Sequence, residues 1–149
     1  PLLAVAIFCA VLLFCGVVFR RVWGGGARVQ GLYIAPDSRS SMLRVSSVEA
    51  VAGSGLRADN TWDRYANGMN GKGSYSHRPE PGRMVTLVAA RALTSVNLAP
   101  AECRRNLCLS GVSAAELNSW VGREVSVGGD DGPLLFCHRL CVPCVPLAR

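Results

Sequence analysis

Histidine and lysine are nearly missing from this chain. Among 149 residues there are two histidines, and Lys72 is the only lysine, so arginine carries almost all of a net charge of +6. His77 sits in a polar stretch and His138 in an apolar one, and both read as non-catalytic. No run of five basic residues and no aromatic-basic stripe occurs, which argues against a nucleic-acid partner. No internal repeat and no Rossmann glycine pattern is present. Gly71-Lys72-Gly73-Ser74 lacks both the Walker spacing and the strand-to-helix setting, so a phosphate loop is excluded.

What the chain does have is apolar. Half of it is hydrophobic, and part of that lies in one uninterrupted run, Leu2 to Phe19, followed at once by Arg20, Arg21 and Trp23. About eighteen residues at ~1.5 Å each make a helix of roughly 27 Å, close to the ~30 Å bilayer core. The run reads as a single-pass membrane anchor over 1–23, with a glycine linker over 24–27 and a body over 28–149. A secretory signal peptide is the rival reading, because Gly24 to Ala27 could imitate a cleavage site. Basic residues on the C-terminal flank of the run put the body on the cytosolic side. The mitochondrial outer membrane is one candidate location.

Seven cysteines are present. Cys9 and Cys15 belong to the apolar run and read as small hydrophobes. Cys103, Cys108, Cys137, Cys141 and Cys144 are an odd set in the last third, which suits a reduced compartment better than a disulfide framework.

The body reads as short strands broken by loops. Arg28–Ala35 is an expected strand ending at Pro36-Asp37. Ser46 to Glu49 resembles a capping box opening a short helix closed by Gly53 or Gly55. Leu56 to Gly82 is polar and lacks a period, and reads as one long loop. Arg83–Val88 is an expected buried strand and Ala89–Val96 a helix. Ser113 with Glu116 starts another helix ending at Gly122, and two strands, the second carrying His138 and Cys141, flank a turn at Gly128–Gly132. The expected fold class is mainly β with short helices, in a closed or half-closed barrel.

Two clusters carry the chemistry. Glu102 to Leu107 (ECRRNL) offers Arg104, Arg105 and Asn106, whose planar donors suit phosphate or carboxylate. Leu140 to Cys144 (LCVPC) offers Cys141 and Cys144, soft ligands or nucleophiles once deprotonated. Cys144 follows a proline and is the favoured thiol of the two.

From Arg28 onward the order RVQGLYIAP, SVEAVAGSGL, DRYANG, GRMVTLVAARAL, ECRRNL, VGREVSVG and LCVPC resembles the MOSC domain family, named for the C-terminal domain of molybdenum cofactor sulfurases. The resemblance implies a β-barrel-like fold, here lacking its C-terminal end, and binding of the molybdenum cofactor (molybdopterin). It also implies sulfur-carrier activity or, as in membrane-anchored relatives, reduction of N-hydroxylated compounds. The family's cysteine motif falls on Cys141 and Cys144, with Cys144 as metal ligand, and its arginine-asparagine motif on Arg104, Arg105 and Asn106. An electron-donor or sulfur-donor protein is the implied partner. Pyridoxal phosphate is not expected to bind this chain alone. Asp63-Arg64-Tyr65 resembles the family's acidic-arginine-tyrosine stretch.

Two alternatives stand beside that reading. Cys103, Cys108, Cys141 and Cys144 could form a structural zinc site. Cys141-Val142-Pro143-Cys144 could be a thiol-disulfide motif, although no helix fits after it.

Overall fold

The computed structural model describes residues 21–22, 26–37, 40–64, 66, 84–127 and 132–141. The expected anchor over Leu2–Phe19, Gly24 and Gly25 of the glycine linker, Tyr65, His77 and Cys144 lie outside the described residues. Among those that are described, no helix is long and apolar enough to cross a membrane.

The fold is mainly β with two short helices. Its centre is a four-stranded sheet in the order β3, β2, β8, β7, built from Leu43–Val45 (β3), Arg28–Ile34 (β2), Leu107–Ser110 (β8) and Leu87–Ala89 (β7). β2 runs antiparallel to β3 and β8, while β7 and β8 are parallel. Parallel neighbours need a crossover. It is made by helix α1, Ala90–Ser95, together with the turn through Cys103.

The side-chain period of two puts alternate residues of this sheet into two different cores. Leu32, Leu107 and Leu109 face one core with Leu56, Ala89, Val112, Trp120 and Val125. Tyr33 and Cys108 face the other with Ala35, Met42, Leu93 and Cys103. A sheet buried on both faces tolerates no polar alternation, which is why LYIA and LCL read as unbroken apolar runs. β2 is exposed over its first three residues and buried over its last four, and its register shifts between Val29 and Gly31. Gly31 leaves room there for the Tyr33 ring, which a Cβ at that position would meet at 2.7 Å and would have to displace.

Two smaller sheets flank the central one. Glu49–Val51 (β4), Gly55–Ala58 (β5) and Thr61–Trp62 (β6) form an antiparallel meander. Arg21–Val22 (β1) pairs in parallel with Glu124–Ser126 (β9), which pairs antiparallel with Leu134–Phe136 (β10). The second helix, α2 (Ala114–Asn118), starts as expected: the Ser113 side-chain oxygen accepts the Glu116 N–H at 3.1 Å. The described strands form three open sheets rather than a closed barrel.

Three expectations fail locally. The box at Ser46–Glu49 opens no helix, because Glu49, Ala50 and Val51 pair with Arg57, Leu56 and Gly55 across a turn holding Gly53 at φ +69°. A stretch this short gains more from cross-strand pairing than from an un-nucleated helix. The polar stretch after Leu56 is not all loop, since it begins with β5 and β6. Cys141 and His138 do not lie in a strand: β10 ends at Phe136, and both residues are exposed beyond it.

Candidate functional site

Three segments distant in sequence meet at the C-terminal end of β2. The chain leaves β2 at Ala35, and just beyond it the Ser40 N–H donates to Asp37 Oδ1 at 2.7 Å. Residues Asp63 and Arg64, just after β6, come against this exit. The Ala35 N–H donates to Asp63 Oδ1 at 2.8 Å, and the Arg64 N–H donates to the Ala35 carbonyl at 2.7 Å. Charged residues are almost never this buried without partners. Asp63 is 0% and Arg64 1% exposed.

The third segment is ECRRNL. Pro100–Arg104 is a turn braced by Glu102, whose carboxylate accepts the Ala99 N–H at 2.8 Å. Arg104 has φ +56°, a left-handed conformation that arginine seldom adopts. That conformation lets its carbonyl accept from Arg64 Nη2 at 3.1 Å while its own Nη1 donates to the Ser40 carbonyl at 2.9 Å. Arg105 Nη1 reaches the same Arg104 carbonyl at 3.5 Å. Arg104 and Arg105 are half-buried, so two guanidinium groups, one tethered to Ser40, reach solvent from a braced turn. Such an arrangement can hold an anion with planar, charge-assisted hydrogen bonds.

Asn106 serves a different purpose. It is 1% exposed, and its Oδ1 accepts from the Thr86 N–H at 3.0 Å and Thr86 Oγ1 at 2.8 Å. Its Nδ2 donates to the Tyr33 carbonyl at 3.1 Å. This amide ties β2 to the segments entering β7 and β8 from inside the protein. It positions the arginine turn.

The thiols divide by environment. Cys103 and Cys108 are packed in the core of Tyr33 and Leu93, and Cys103 Sγ donates to the Pro100 carbonyl at 2.9 Å. Burial pushes the Cys103 thiol up although a backbone hydrogen bond and the charge of Arg105 pull it down. Burial, then the neighbouring Cys103, raises Cys108, and burial raises Cys137. None of the three is an activated thiolate. Cys141 is exposed, and no hydrogen bond or ion pair joins it to Arg104, Arg105 or Asn106. Among the described residues no group of three or more His, Cys, Asp or Glu is placed to hold a metal ion.

Arg104 and Arg105 were legible as a charge pair; Ser40, Met42 and Thr86 were not. Met42 Sδ lies 3.3 Å from Arg64 Nη1, and nothing in its sequence surroundings marks it. The only sequence signal for Arg64 was its place in Asp63-Arg64-Tyr65. Comparison with family models, with curated proteins and with solved structures finds no match for this chain.

Proposed function

We propose that this chain is a membrane-anchored, MOSC-like domain that binds the molybdenum cofactor. The carrying observation is the Arg64 to Arg104 contact, which unites three sequence landmarks, GLYIAP, DRYANG and ECRRNL, in one corner. Half-buried Arg104 and Arg105 fit the anionic end of a pterin, the more so because Ser40 holds one guanidinium in place. Asn106 fits as a support rather than as a contact, since its amide is occupied by Thr86 and Tyr33. The mainly β body supports the fold reading, with the open sheets taken as parts of a barrel.

When bound, the cofactor supplies a redox-active, thiophilic molybdenum centre. The chain's part is to neutralise its phosphate with Arg104 and Arg105 and to offer a thiolate from Cys144 or Cys141, as ligand or as sulfur carrier. Leu2–Phe19 anchors the domain in a membrane with the body cytosolic. A donor protein supplies electrons or sulfur.

Metal and pterin analysis of the full chain, purified from cells that make the cofactor, tests this reading. Molybdenum and pterin in near-equal amounts are expected, with pterin lost from R104A/R105A. Zinc without molybdenum or pterin would overturn it. A zinc module draws little support from Cys103 and Cys108, which are packed among apolar side chains.

A further inference from the structure

A large cavity lies away from the arginine turn, on the other face of the central sheet. It has a volume of about 860 Å³, within the ~300–1,000 Å³ usual for small-molecule sites. Its walls are Leu32, Leu56, Leu87, Leu109, Trp120 and Val125, contributed by β2, β5, β7, β8, β9 and the turn after α2. Native interiors hold few voids larger than a water molecule, because unfilled apolar space forfeits dispersion contacts on every wall. A space of this size and chemistry calls for an apolar occupant.

Among the described residues the charges around it are of one sign: Arg28 and Arg44 line the cavity, no described carboxylate does, and both arginines are exposed, which places them at its mouth. Arg44 folds back along β2 to donate to the Gln30 carbonyl at 3.4 Å, which brings its guanidinium toward Arg28. Among the described residues the ion pair joins Arg57 to Glu49, and no described carboxylate pairs with Arg28 or Arg44. Ala27 also lines the cavity. The apolar run ends at Phe19, two residues before β1, and β1 sets Val22 against Val125, one of the cavity walls. On the anchor reading proposed above, the mouth therefore opens close to a bilayer surface.

We propose that this cavity binds a lipid with one acyl chain among the aliphatic walls and an anionic head group at Arg28 and Arg44. A fatty carboxylate and the acyl chain of a bilayer phospholipid share this chemistry. The site is independent of the arginine turn and of molybdenum.

The full chain in phosphatidylcholine nanodiscs, with Trp23→Phe and Trp62→Phe so that Trp120 alone reports, is titrated with a dibrominated stearate. Trp120 emission is expected to be quenched, to recover on adding oleate, and to be indifferent to oleyl alcohol. R28Q/R44Q is expected to weaken binding by about tenfold or more, the loss of a charge-assisted contact. Nanodiscs doped with dibrominated phosphatidylglycerol separate the sources, since quenching there without added acid, and absent with dibrominated phosphatidylcholine, identifies an anionic bilayer phospholipid as the ligand. Retention of radiolabelled oleate by the unsubstituted chain, measured against empty nanodiscs, reads the same site without substitutions. No quenching and no retention, as when the chain's own apolar segments fill the space, overturns the proposal. So does equal displacement by oleyl alcohol together with an unchanged R28Q/R44Q midpoint.

Discussion

Arg64 Nη2 donates to the Arg104 carbonyl across 3.1 Å, joining residues forty positions apart. The contact depends on the left-handed backbone of Arg104, and it depends equally on Arg64 being held by the exit of β2. A substitution at either end is therefore felt at the other.

Arg64→Ala is expected to lower stability by about 2–4 kcal/mol, since it removes charge-assisted hydrogen bonds and empties a buried site. Arg64→Lys recovers little, because a point ammonium cannot reach Met42 and Arg104 in the geometry of a planar fork. Urea unfolding midpoints of the two variants check this, and a lysine variant as stable as the parent would contradict it.

Asn106→Ala should cost about 2–3 kcal/mol by leaving the buried Thr86 N–H and hydroxyl and the Tyr33 carbonyl short of partners. Asn106→Asp keeps the acceptor but loses the donor to Tyr33. Its penalty is expected to shrink as pH falls and the carboxyl protonates, readable in denaturation curves between pH 7 and 4.

The buried thiols set an alkaline limit. Cys103, Cys108 and Cys137 have their folded-state pKa raised by burial. Each is neutral when protonated, so its contribution is complete below the unfolded pKa of about 8.5 and is lost as pH rises through the folded value. Stability under reducing conditions should be level from pH 7 to 8 and fall above pH 9. At pH 8 exposed Cys141 should react with a thiol reagent well before these three, as mass mapping of the labelled chain would show.

Gly111 and Gly53 make a matched pair. Both have positive φ, +73° and +69°, but a Cβ at Gly111 would meet the Gly26 carbonyl oxygen at 2.3 Å and one at Gly53 would meet nothing within 4 Å. Gly53→Ala should cost about 1 kcal/mol from backbone strain alone, and Gly111→Ala about 2 kcal/mol or more. Equal thermal shifts in the two variants would show that the approach to Gly26 carries no weight.

The Glu49–Arg57 pair is the control. Arg57 also lies 5.2 Å from the Trp62 ring centroid, yet the paired side chains are 34% and 40% exposed. Water screens such pairs, so Glu49→Gln is expected to change stability by no more than ~1 kcal/mol.

Much of the body could be read residue by residue. Ser113 with Glu116 foretold α2, and the β-branched and aromatic residues of Arg28 to Ala35 foretold the strand found over Arg28–Ile34. The box at Ser46–Glu49 misled because a hydrogen-bonding pattern over four residues says nothing of a partner strand whose residues pair four to eight positions later. The cysteine-bearing segment misled in the other direction. Its hydrophobicity suggested a strand through Cys141, but pairing with β9 gives out once the chain passes Cys137, whose carbonyl accepts the Gly122 N–H.

Local chemistry determined which residues could serve: it marked Arg104 and Arg105 as anion-binding side chains, Cys141 and Cys144 as thiols, and most of the strands by their period. Only the tertiary structure decided which of these act together. Asp63 and Arg64 became the support of the arginine turn, and Asn106 turned inward, because hydrogen bonds between segments twenty to seventy residues apart leave no trace in spacing. The ≈ 860 Å³ apolar cavity rimmed by Arg28 and Arg44 was equally invisible. A void is a property of how faces are packed, and a sequence lists only the faces.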